Sequence, residues 1–265
     1  MAKTQRANKE TRIVAMDQNR QAGAQSLYRT IAVIKAVANY DEKGVRMATL
    51  ARKMDLPTST VHRILAVLVS EDFVEYDPDS KKYHIGYGLY LVGEKALKFD
   101  IREKYHSALI NVSEQTGETS YLITRYGNDA LCLDRIVGSY PIQVITFEIG
   151  ARRALGIGAA SLAILSSLPD DICKSIIEAN AQKYSGSVGI TKDEVYKMVL
   201  KTRRDQFSLS SKIVNAETIG VGVPIMDKKG DVLGAISATG ILSRMKPDRR
   251  RTIVEIIRSE IERAG

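Results

Sequence analysis

The chain is 265 residues long, 44% hydrophobic and 26% charged, with a formal net charge of +8. Its length argues for two domains rather than one, and its composition is that of a protein able to bury a sizeable core. No apolar run approaches the ~18 residues of a membrane helix and the charged N-terminal stretch is no signal peptide, so a cytoplasmic protein with no membrane partner is expected.

The charge is uneven. Residues 1–98 hold 16 Lys and Arg against 11 Asp and Glu, whereas residues 99–265 hold 23 against 20. Denser positive charge in the first third suits a polyanionic partner. Cys132 and Cys173, and His62, His84 and His106, lack the close spacing of metal motifs. Neither a metal, another cofactor nor a disulfide is therefore expected.

Residues 1–24 show no periodicity and read as a mobile basic tail. Leu27, Ile31, Ile34 and Ala38 repeat at helical spacing over 26–40, with Ser26 as the N-cap. A turn at "DEKG" follows, then a second short helix in "MATLARKM", where Met47, Leu50 and Met54 share a face. Asp55 stands where a left-handed residue ends a helix, and Leu56-Pro57 breaks and restarts the chain, with Thr58 or Ser59 as cap. The third helix turns Val61, Ile64, Leu65 and Leu68 inward, leaving Ser59, His62, Arg63 and Ala66 outside. "DFVEYDPDSKKYHIG" then alternates around a "DPDS" turn, a hairpin pattern. Three helices and a hairpin describe a winged helix-turn-helix over residues 25–87, and residues 88–99 continue as a linker helix.

Residues 100–265 form the second domain. A helix containing "YHSALINVSEQTG" precedes strands at 119–126, 130–137 and 141–147. An apolar helix follows in "GIGAASLAILSSLP", then helices near 170–181 and 191–204. Strands at 207–214, 218–226 and 232–239 lead to a basic helix from Pro247. The order implies an antiparallel sheet with helices packed on it, and the fold class is α+β in two domains.

Two groups of residues point to chemistry. A helix entering the major groove needs short polar residues near its start and a long donor further in. Thr58, Ser59 and Thr60 supply the first, Arg63 supplies a bidentate donor for guanine, and His62 lies beside phosphate or base. Lys81 and Lys82 offer phosphate contacts from the hairpin, giving double-stranded operator DNA as the partner. The competing reading is a capped helix with a solvated arginine and a solvated hairpin. In the second domain, "GIGAAS" puts small residues at a helix start, where backbone N–H groups favour an anion. Ser161, Ser210, Ser237 and Thr239 add neutral hydrogen bonds. Its competing reading is tight packing of helix on sheet. The segment has neither a P-loop ending nor G-x-G-x-x-G spacing.

The run "RMATLARKMDLPTSTVHRILAVLVSEDFVEYDPDSKKYHIGYGLYLVG" resembles the DNA-binding region of IclR-type bacterial transcription regulators. "SEQTGETSYLI" and "GVPIMDKKGDVLGAISATG" extend the resemblance to the end of the chain. It implies a winged helix-turn-helix joined by a linker helix to a GAF-like domain for effector binding and oligomerisation. It also implies homodimers, often paired into tetramers, and a small organic acid as effector. Carried over by position, the effector pocket comprises Ile142, Ala159, Ala160, Ser210, Gly220, Ser237 and Thr239, to which the reading of the helix start adds Ser161. Three departures stand out. Gly156 and Leu162 occupy positions where the family often has His and Lys, Ser210 one where a carboxylate is common, and Asp55 one usually held by Gly.

The expected function is a ligand-responsive DNA-binding transcriptional regulator of a catabolic or metabolic operon, sensing an organic acid, aromatic acids included. A serine hydrolase using Ser161, Ser210 or Ser237 is the rival, but no serine sits in G-x-S-x-G and no motif links one to His84 or His106. A constitutive DNA-binding protein with a vestigial sensor is the third reading.

Overall fold

In the computed structural model the chain divides into two compact units, residues 1–97 and 98–265. The structure describes residues 24–40, 43–94, 100–211, 213–214 and 216–265. The expected tail, the first half of the "DEKG" turn and the end of the linker helix lie outside the described residues.

The first unit comprises α1 (Gln25–Ala38), α2 (Met47–Met54), α3 (Thr58–Ser70), β1 (Val74–Asp77), β2 (Lys82–Ile85) and α4 (Tyr87–Glu94). Its core gathers Val33, Val37, Leu50, Val61, Leu65, Leu68 and Val74. The inward stripe of α3 is as its spacing requires. On α1 the expected stripe is corrected: Val33, Ala36 and Val37 are buried, whereas Leu27 and Ile31 are 65% and 49% exposed. Periodicity marked the larger side chains, but only the C-terminal half of α1 packs inward within this unit. The helix also starts at Gln25 behind Ala24, so Ser26 is not its cap.

Asp55 takes the left-handed conformation, φ 52° and ψ 47°, after α2. The Leu56 N–H then reaches back to the Ala51 carbonyl (3.0 Å), which closes the helix end and re-aims the chain. Pro57 precedes α3 with no side-chain cap, and Thr58 and Ser59 are already helical. Their hydroxyls are thereby left to the solvent side. In the β1–β2 hairpin Val74 pairs with Ile85 and Tyr76 with Tyr83. Asp77 accepts from the Ser80 hydroxyl and the Asp79 N–H in the turn, which holds its carboxyl below the usual range.

The second unit runs α5 (Asp100–Thr116), β3 (Thr119–Tyr126), β4 (Asp129–Ile136), β5 (Arg152–Ala154), α6 (Ala159–Ser167), α7 (Asp170–Ala179), α8 (Ala181–Val188), α9 (Lys192–Asp205), β6 (Ser208–Ser211), β7 (Thr218–Met226), β8 (Val232–Ile241) and α10 (Pro247–Ala264). The strands form one six-stranded sheet in the order β5-β4-β3-β8-β7-β6, every pair antiparallel. Alternation sends neighbouring residues to opposite faces. Ile123 and Ala235 join Leu162, Ile164, Cys173 and Tyr184 in one core, whereas Leu122 and Ile236 join Leu109, Val112, Ile253 and Ile257 in the other. Burial from Ala159 to Ser166 explains why α6 reads as one apolar run.

Residues 141–147 are not a strand. Their buried members, Val144 and Phe147, are three apart, and β5 pairs with β4 at its Asp129–Leu131 stretch. Side chains hold this strap in place of a ladder. The Tyr121 hydroxyl donates to the Val144 carbonyl (2.9 Å) and accepts from the Thr146 N–H (3.0 Å), while Arg135 reaches the Phe147 carbonyl (3.2 Å). Helix α8 escapes sequence reading because "AQKYSGSV" is polar and glycine-bearing, with only Tyr184 buried. Strand β6 stops at Ser211, short of the expected 214. Among the described residues no helix is long and apolar enough to cross a membrane.

Candidate functional site

On α3 the side chains of Thr58, Ser59, His62 and Arg63 are exposed and Thr60 is half-buried. Inward anchoring by Val61, Leu65 and Leu68 fixes which face they share. Among the described residues no carboxylate pairs with Arg63, so its planar fork of donors is uncommitted. In the hairpin, Lys81 is exposed at the end of the turn with φ 56°. Lys82 differs, because its ammonium donates to the Lys43 carbonyl (2.7 Å). With the backbone bridge between Val45 and Tyr83, that bond tethers the hairpin to the segment before α2.

In the second unit a cavity opens between the first turn of α6 and the sheet. Its shape follows from β7. Gly220 and Gly222 alternate on the face that α6 approaches, and a Cβ on Gly222 would stand 2.8 Å from the Ala159 carbonyl carbon. No larger residue fits there while the helix keeps its place. The Ser208 hydroxyl fastens the same turn by donating to the Ala159 carbonyl (2.6 Å). Gly158 precedes α6 with φ 92°. Register then aligns Ser210, Gly220 and Thr239 across β6, β7 and β8, with Ser237 one row along.

The cavity brings together Ala159, Ala160, Ser161, Ser210, Gly220, Ser237 and Thr239. Ile142 is not brought to it: it is 63% exposed on the strap, and its carbonyl accepts from Arg244 (3.1 Å). The strap's departure from strand geometry turns that side chain away. The Ser161 hydroxyl is buried and accepts from the Gly156 N–H (2.8 Å), so part of its capacity serves the loop before α6.

Sequence reading missed the rest of the lining, notably Tyr121, Phe147, Ile157 and Arg153. The available signal was the pair Arg152-Arg153. On a strand two adjacent arginines face opposite ways. Arg152 lies against the Tyr126 ring, 3.7 Å from its centroid, and Arg153 enters the cavity with its guanidinium carbon 4.3 Å from the Phe147 centroid. Burial holds Arg153 below the usual arginine range. Burial also pushes Cys132 up to about 12, so this thiol is not a nucleophile at neutral pH. Among the described residues no serine hydroxyl is hydrogen-bonded to a histidine; His106 instead meets Asp134 (2.7 Å).

Comparison with known proteins agrees with both units. Residues 94–263 match the family model for the bacterial transcriptional regulator IclR C-terminal region, and residues 26–78 match the IclR helix-turn-helix domain. The HTH-type transcriptional repressor AllR of Klebsiella pneumoniae is 26% identical over 243 residues, 90% of this chain and 88% of its own. The HTH-type transcriptional regulator KipR of Bacillus subtilis is 25% identical over 238 residues, 88% of this chain and 94% of its own. The Thermotoga maritima IclR structure superposes with a TM-score of 0.74 at 22% identity, covering 90% of this chain and 96% of that one. An IclR homolog from Microbacterium hydrocarbonoxydans, complexed with 4-hydroxybenzoate, gives 0.68 at 19% identity over 89% and 98% of the two chains. With one family model covering its helix-turn-helix and another its sheet and cavity, the chain belongs to the IclR family of bacterial transcriptional regulators.

Proposed function

We propose that this regulator answers to a small organic acid held in the α6 cavity, and that its target is double-stranded operator DNA read by α3. The observation carrying the reading is the cavity itself. First-turn N–H groups of α6, which have no intrahelical acceptor, stand beside the hydroxyl-bearing strands, and apolar side chains close the remaining walls. Such a lining suits a carboxylate on an apolar body, and a fold relative has been captured with 4-hydroxybenzoate. In the first unit, Arg63 reads a base while Thr58, Ser59, Thr60, His62 and Lys81 set position on the backbone. Lys82 contributes less, being bonded to the Lys43 carbonyl.

The working species is a homodimer, or a tetramer of two such pairs. Leu27 and Ile31 on α1, with Tyr87, Tyr90, Leu91 and Val92 on α4, leave the first unit with large apolar side chains in solvent. A second copy covers them and supplies the second half-site reader. The protein acts in the cytoplasm, where the DNA is, and not as an enzyme, a reading supported by the family, whose matched relatives are transcriptional regulators.

Fluorescence anisotropy on DNA flanking the gene, with and without 4-hydroxybenzoate and a panel of aliphatic and aromatic acids, tests this reading. Binding must exceed that to random DNA and must shift with at least one acid, because an effector acts only through unequal affinity for the two DNA-binding states. DNA binding indifferent to the whole panel would leave the constitutive alternative instead.

A further inference from the structure

Among the described residues lining the cavity, Arg153 is the one Lys, Arg, Asp or Glu. Its side chain comes from β5, crosses the Phe147 ring, and donates from Nη2 to the Thr146 carbonyl. A guanidinium carries five N–H donors in a fixed fork, and this bond uses one of them. Among the described residues no carboxylate pairs with it, although eight other Arg residues do find one: ion pairs tie up Arg102, Arg135, Arg203, Arg204, Arg244, Arg249, Arg258 and Arg263, whereas Arg153 is left uncompensated inside a cavity.

The geometry points to Arg153 as the residue that reads the ligand's charge, which makes the ligand a monocarboxylate with an apolar body rather than a neutral amide or alcohol. The inference rests on the acid reading given above and adds the residue that enforces it. Nη1 stands beside Gly158, 3.6 Å from where a Cβ would be, and Gly158 is the residue before the first turn of α6. One carboxylate can therefore meet the guanidinium and that turn together. Beyond it, Ile123, Phe147, Ile157 and Ile213 offer apolar walls, and among the described residues of the lining there is no second cation. A second ligand carboxylate would be desolvated without a partner, which disfavours dicarboxylates. Burial, which already depresses the Arg153 pKa, strengthens the attraction by lowering the local dielectric.

Calorimetric titration of the full-length protein in a chloride buffer, using benzoate against benzamide and 3-methylbutanoate against its amide, tests the inference. Wild type should prefer at least one acid over its matched amide. Arg153→Met should weaken that acid about ten- to a hundredfold, the worth of a charge-assisted hydrogen bond, while changing the amide little. Arg153→Lys, which keeps the charge without the fork, should fall between. Melting curves of each variant without ligand report whether the strap bond to Thr146 matters for folding, and the amide serves as control for a distorted cavity. Acid binding that survives Arg153→Met, or equal loss of acid and amide, overturns the role of Arg153 and leaves the acid reading intact. Failure of wild type to prefer any acid overturns both.

Discussion

Arg63 and Arg153 are the same residue type in opposite surroundings. Arg63 sits in solvent on a helix whose opposite face is locked by Val61, Leu65 and Leu68, so its position is fixed although its side chain is free. Arg63→Ala should weaken operator binding by about 1–3 kcal/mol and leave random DNA nearly untouched, as anisotropy on both will show. Equal loss on the two would reduce Arg63 to a phosphate contact. At this scale the sequence was informative where a residue's role depends on local spacing. The exposure of Arg63, the left-handed turn at Asp55 and the place of Ser237 and Thr239 on the cavity wall were all legible. Arg153 was not, because only the pairing of β5 with β4 decides which member of Arg152-Arg153 faces inward.

Among the elements, β7 and α6 depend on each other. Alternating glycines on one face of "TIGVGVPIM" let the helix start touch the sheet, and Ser208 pins it there. Gly222→Ala should cost about 1–3 kcal/mol in denaturant unfolding, since the new Cβ meets backbone that cannot rotate away. A neutral substitution would mean that α6 can retreat, and the cavity with it. Most elements were legible because their apolar period matches a long helix or a sheet face. The exceptions have physical causes. Residues 141–147 are rich in β-branched residues yet tied by side chains from other strands, and α8 has too little apolar surface to announce itself. The N-terminal half of α1 carries an apolar stripe that no described residue of its own unit covers.

That uncovered stripe belongs to the scale of the whole molecule. If α1 and α4 meet a second copy, Leu91→Glu should shift the protein toward monomer in sedimentation and weaken operator binding about a hundredfold, because two linked readers gain from each other's attachment. A monodisperse dimer with unchanged operator affinity would place the interface elsewhere. The strap has its own bearing on how the molecule moves. One phenol oxygen, that of Tyr121, both gives and takes the hydrogen bonds that seat Val144 and Thr146. Where a strand would have to unzip residue by residue, this segment is held by a few side chains, of which Tyr121 makes two bonds and Arg135, Arg153 and Arg244 one each, so its opening is a local event distinct from global unfolding. Tyr121→Phe should accordingly speed hydrogen exchange at Thr146 while amides of β7 and β8 keep their protection. The wall of the cavity would then breathe on a faster clock than the sheet behind it.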